Sequence, residues 1–180
     1  VYGFHRFTDT LVGLAVALVV NLVIRPYNNR QKIRSMMLDL QKQFLPLLEA
    51  RVIAHRYPDL APLRGDMARL DDEMRIFEKQ PVALLHHTVR VSARRQEAAY
   101  LRGCQQLLDK MSGELAALCN MDSSPVPSES VLSRMKEHSI AVPENLPAYG
   151  YCSETDTTVM NFHITNLLDA YDFLSALHRE

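Results

Sequence analysis

Residues 7–24 read FTDTLVGLAVALVVNLVI, and this stretch decides what kind of chain follows. From Leu11 onward every residue in it is apolar or glycine, except Asn21. Such a run lies near the lower end of the roughly 17–25 residues that carry a helix across a bilayer. As a buried rod in a soluble domain it would need apolar surroundings on every side, and no later segment is apolar all round. As a signal peptide it would need a basic start with an initiator Met and a small-x-small cleavage site behind it, and it has neither. We therefore expect one transmembrane helix within residues 1–27, flanks included. The chain begins at Val1 without Met, which reads as a fragment of a longer protein.

The flanks give an orientation. Behind the run, RPYNNRQKIR supplies Arg25, Arg30, Lys32 and Arg34, with no acid before Asp39; ahead of it stand only His5 and Arg6. Positive charge collects on the cytoplasmic side, so residues 28–180 are expected there. Pro26 ends or kinks the helix at its exit, and Tyr27 suits the interface.

Within the run, Asp9, Gly13, Ala17 and Asn21 recur every four residues and share one face. Small residues let helices approach closely, and Asn can hydrogen-bond across the contact. One reading is a packing face, met by upstream transmembrane helices of the same protein or by a second copy in a homo-oligomer. The other is a substrate path lined by Asp9 and Asn21, since polar groups inside a bilayer often mark one. Arg6, one turn before Asp9, is placed to neutralise it.

Past residue 28 the apolar spacing becomes that of amphipathic helices. The first uses Ile33, Met36, Met37, Leu40, Phe44, Leu47 and Leu48, with Arg30, Arg34, Gln41 and Glu49 on the opposite face. Pro46 should bend or break it, and Tyr57-Pro58 should stop it. A second, from about Ala61 to Glu78, has a heptad-like seam of Leu63, Met67, Leu70, Met74 and Phe77. Gln80-Pro81 closes it, and VALLHHT (82–88) reads as a short turn or loop. A third, roughly Val89 to Met121, carries Ala98, Leu101, Leu108, Met111, Leu115 and Leu118, interrupted by Gln105. Its Arg90, Arg94, Arg95 and Arg102 read as a solvated face, or as a face toward anionic headgroups. MDSSPVPSES is a linker, followed by a short helix from Ser128 to His138, an irregular stretch with Pro143 and Pro147, and a last helix from Glu154–Asp156 onward. That helix is given the stripe Val159, Phe162, Leu167, Tyr171 and Leu174. The fold class expected is all-α: one transmembrane helix, then an antiparallel helical bundle of about four main helices.

Composition and motifs narrow the chemistry. Lys and Arg total 20 against 21 Asp and Glu, so net charge gives no reason to expect nucleic acid. Cys104, Cys119 and Cys152 are odd in number and lack CxxC spacing, which argues against a disulfide framework or a zinc site and fits a reducing compartment. No phosphate-binding glycine loop, nucleophile elbow or HExxH occurs, and no nucleophile stands with a base. Neither an enzyme nor a cofactor is expected. Asn161, His163 and Asn166 make the last helix polar at NFHITN. They read either as a buried network with Tyr171 or Gln105 that fixes helix register, or as a ligand-binding, regulatory site.

Two stretches resemble one family. RFTDTLVGLAVALVVNLVIRP (6–26) is similar to the last transmembrane helix of the aromatic acid exporter family, a branch of the fusaric acid resistance group of bacterial efflux proteins. Arg6, Phe7, Asp9, Thr10, Gly13, Asn21 and Pro26 carry the likeness; Pro26-Tyr27 stands where that family often has two prolines. VMNFHITNLLDAYDFLSAL (159–177) resembles the closing helix of the family's cytoplasmic domain. The resemblance implies a bacterial inner-membrane parent that exports small organic or aromatic acids, with the helical domain structural or regulatory. The competing expectation is a membrane-tethered interaction or sensor module without transport.

Overall fold

The computed structural model describes residues 6, 10–17, 29–79 and 87–178, the side chains of 87–91 excepted. Among these residues the chain is all-α, and its one strand-like feature is a bridge between Ser124 and Tyr149. Residues 10–17 are helical, with every side chain exposed. No helix among the described residues is long and apolar enough to cross a membrane. The rest of the apolar run, Asp9 and Asn21 included, lies outside them, as do residues 82–86 of the turn expected at 82–88; residues 87 and 88 are helical and open the third helix of the domain.

Five helices follow: α1 Arg30–Val52, α2 Ala61–Lys79, α3 His87–Cys119, α4 Glu129–Glu137 and α5 Glu154–Leu177. Their order in space follows from a few bonds. At the start of α1, the Asn29 amide donates to the carbonyl and carboxylate of Glu73, near the end of α2. Arg94, early in α3, donates to the Phe77 carbonyl. Arg51, at the end of α1, reaches the end of α3. His163, in the first half of α5, meets Glu114, late in α3. Thus α1 and α3 run one way, α2 and α5 the other, and α4 lies along α5.

The core is a single cluster at helical spacing. α1 supplies Ile33, Met37, Leu40, Phe44, Leu48 and Val52; α2 supplies Leu63, Leu70, Met74 and Phe77. α3 supplies Leu101, Cys104, Leu108, Met111, Leu115 and Leu118. α4 adds Val131 and Met135, and α5 adds Met160, Ile164, Leu167, Leu168 and Leu174. A fully buried Leu, Ile or Phe contributes roughly 1.5–3 kcal/mol, so this cluster is what sets the packing. A capping box starts α5: Asp156 N–H donates to Ser153 Oγ, and Ser153 N–H donates to Asp156 Oδ2. The Ser153 N–H, and then the Ser153 hydroxyl, hold the Asp156 carboxyl below the usual carboxylate range.

Several expectations need correction. α1 ends at Val52 rather than near Tyr57, because the chain turns at His55, whose φ is +49°. Pro46 does not break α1. It is exposed, so the Lys42 carbonyl it leaves without an N–H faces the solvent side. Gln41 is buried rather than on the outer face, because α5 covers that flank and receives its amide. On α5, Val159 and Phe162 are exposed, not core. The buried row is Met160, Ile164 and Leu167. Phe162 is two residues from both Met160 and Ile164, more than half a turn away from either.

Candidate functional site

The polar residues of α5 do not form one network. His163 Nδ1 stands 2.6 Å from Glu114 Oε2, tying α5 to α3 at a half-buried surface. Asn161 turns the other way: its Oδ1 accepts the Ser128 N–H at 2.9 Å, so it holds the chain just before α4. Asn166 is half-buried, and no hydrogen bond of its side chain is found among the described residues. Tyr171 presents its ring edge-on to His138, with centroids 5.4 Å apart, and its carbonyl accepts from Gln41. Gln105 donates to Asp71 on α2 instead. In place of the expected network of Asn161, His163, Asn166 and Tyr171, with or without Gln105, the described residues make separate contacts to different partners.

Of the stripe in the apolar run, Gly13 and Ala17 are described, and so is Arg6 ahead of it. Arg6 is exposed and its carbonyl accepts the Thr10 hydroxyl at 2.8 Å. Ala17 is exposed, and a Cβ added at Gly13 would meet nothing within 4 Å, so this face is open. Of the α3 arginines, Arg95 and Arg102 are exposed, as expected of a solvated face, and Arg94 is half-covered. Arg94 bonds the Phe77 carbonyl and lies 5.0 Å above the Phe77 ring, and Arg102 pairs with Glu78.

Two polar centres were not foreseen. The first is Arg51, which is 0% exposed. Its Nε donates to the Leu118 carbonyl at 2.8 Å, and its Nη2 to the carbonyls of Met121 at 2.9 Å and Ser123 at 3.1 Å. Nη1 donates to the Ser124 hydroxyl, and the Tyr57 ring lies 4.8 Å from the guanidinium carbon. These acceptors are carbonyls at and beyond the end of α3, where a helix carries partial negative charge, so the cation is compensated by backbone. The second centre joins the middle of α1 and the first half of α3 to the end of α5. The Gln41 amide donates to Ser175 Oγ at 2.6 Å, and Gln41 Oε1 lies 3.1 Å from His178 Nδ1. Because that oxygen only accepts, the His178 proton must sit on Nδ1. Burial, and then the nearby Arg34, push the His178 pKa down. Tyr100 Oη donates to the Leu177 carbonyl at 2.9 Å, and burial raises the pKa of both Tyr100 and Cys104.

Chemically these centres fasten helices. The Cys104 thiol is buried and pushed toward its neutral form, the opposite of an activated nucleophile. His163 with Glu114 has the form of an oriented base, but no hydroxyl or thiol bonds its other ring nitrogen among the described residues. Among those residues no group of three or more His, Cys, Asp or Glu side chains is placed to hold a metal ion. No family model, curated protein or solved structure matches this chain.

Proposed function

We propose that this chain is the last transmembrane span and the cytoplasmic helical domain of a bacterial inner-membrane efflux protein of the aromatic acid exporter type. On this reading the domain is an antiparallel bundle of four main helices, with a structural or regulatory role. The observation that carries it is the helical stretch 10–17. Its Leu11, Val12, Leu14 and Val16 are 53%, 61%, 68% and 56% exposed, while the core of the following helices closes without them. A contiguous apolar surface of this kind calls for lipid or for partner helices. The basic flank behind the run, and the likeness of residues 6–26 to the family's last span, supply the direction and the class. The open face at Gly13 and Ala17 then receives upstream helices or a second copy, and a small organic or aromatic acid is the cargo of the whole assembly.

The second reading, a tethered interaction or sensor module, draws on the self-contained core. Cells carrying the complete gene, loaded with a radiolabelled aromatic acid, separate the two. Faster loss of label than in cells lacking the gene supports export. Equal loss, with a reading frame that encodes a single span, supports the tethered module.

A further inference from the structure

The helix directions sort the charges of this chain between the two ends of the bundle. One end gathers the start of α1, the end of α2 and the start of α3. Arg30, Lys32 and Arg34 open α1, where Glu97 pairs with both arginines and Glu73 with the lysine. To these bases α2 brings Lys79 and α3 brings Arg90, Arg94 and Arg95, and between residues 79 and 96 there is no acid at all. Lys79 and Arg95 are exposed. The opposite end joins the end of α1 and the start of α2 to residues 119–131 and 140–156; the last two stretches hold Asp122, Glu129, Glu144, Glu154 and Asp156 and no Lys or Arg, while 51–66 adds Arg51, Arg56 and Arg64 against Asp59 and Asp66. A chain of net charge -1 thus carries an excess of bases at one end of the bundle and an excess of acids at the other.

The basic end is also where the apolar helical stretch joins the bundle, because residue 29 opens α1. α3 is the longest helix, 33 residues against 23 for α1, and its first turns precede its bond to Phe77 at Arg94. We propose that this end, centred on the exposed Lys79 and Arg95, is a docking surface for the anionic headgroups of the bilayer, holding the bundle upright against the membrane with its acidic end directed away. The occupant follows from charge complementarity and from chain continuity. Each Lys or Arg near an anionic leaflet contributes about fivefold in association, and repulsion of the acidic end selects the same orientation. The inference rests on the membrane reading above for its geometry, not for its charge.

The test uses the whole chain in lipid nanodiscs of phosphatidylcholine alone, or with phosphatidylglycerol added. Amide exchange of residues 87–96 should slow in the anionic discs and recover in high salt, while 119–131 exchanges alike in both. The variant Lys79→Gln/Arg90→Gln/Arg95→Gln should lose that difference with its exchange in 101–118 unchanged. Equal exchange in both lipids, or slowing that survives in the variant, overturns the proposal. So does slowing that needs added polyglutamate, which would make the partner an acidic protein. If the chain fails to enter either disc, the span reading fails, and flotation with vesicles of the same lipids decides the docking alone. Binding to anionic vesicles only, roughly a hundredfold weaker in the variant, supports it; binding to neither overturns it.

Discussion

Arg51 Nε donates to the Leu118 carbonyl at 2.8 Å and so fastens the end of α1 to the end of α3. The bond lies inside a fully buried cluster in which the guanidinium meets three main-chain carbonyls and a hydroxyl, with no carboxylate among its hydrogen-bond partners. A charge so placed is tolerated because each donor is matched and the helix end supplies the opposing field. It also fixes the path of residues 121–124, from which the Ser124–Tyr149 bridge is made.

Replacing Arg51 by Met should therefore destabilise the chain by about 3 kcal/mol. The apolar stem is kept, but several buried acceptors lose their donors. Arg51→Lys should fall between the two, since an ammonium cannot fork toward all four acceptors. Urea denaturation of the purified chain, followed by helical circular dichroism, measures both. A loss under 0.5 kcal/mol for the Met variant would mean that water replaces the guanidinium there.

Acid should loosen the α1–α5 contact before it loosens the rest. The pKa of His178 is depressed in the fold, so the unfolded chain binds the proton more readily. Its contribution is complete above about pH 6.5 and is lost as pH falls through the lower folded value. Glu73 is also depressed, chiefly by the Asn29 amide and then by Lys32, so its contribution is lost only below about pH 4.5, in a later window. Melting temperature measured against pH should start to fall near pH 6.5. In His178→Gln that first decline should vanish, leaving the one near pH 4.5.

Asn166→Leu should change stability by less than about 0.5 kcal/mol, as expected of a half-buried side chain with no hydrogen bond found. The His163–Glu114 pair should behave differently. A double-mutant cycle of His163→Ala and Glu114→Ala should give a coupling of about 1 kcal/mol, since both side chains are largely covered. Coupling near zero would show the contact to be solvated.

Gly13→Leu should weaken association with neighbouring transmembrane helices, because a bulky side chain holds the facing backbone away. A Cβ at this position meets nothing within 4 Å, and the core of the helical domain does not include residue 13, so the fold of that domain should be unchanged. Crosslinking in membranes, together with circular dichroism, reads the two effects separately.

Most helices were legible because their apolar spacing is regular. Leu63, Leu70, Met74 and Phe77 of α2 are buried as their heptad-like seam requires, and the stripe of α3 from Leu101 to Leu118 is fully covered. The stripe expected for α5 holds in its second half, where Leu167 and Leu174 are buried and Tyr171 packs against the core, and fails in its first, where Met160 and Ile164 are buried in place of Val159 and Phe162 because apolar residues occur there on both faces. Arg51 was illegible for another reason. In RVIAHRYP nothing marks a charged residue for burial, since its partners are carbonyls 67 to 72 residues further on, brought back by the tertiary fold. Gln41 was misplaced in the same way, its partner Ser175 being 134 residues away.

The central claim is that residues 1–27 hold this chain in a bilayer, and alkaline carbonate extraction of bacterial membranes containing it is the most direct measurement. The chain should remain in the pellet, and a variant lacking residues 1–27 should move to the supernatant with its helical circular dichroism intact. Recovery of the intact chain in the supernatant as a folded monomer without detergent would contradict the account.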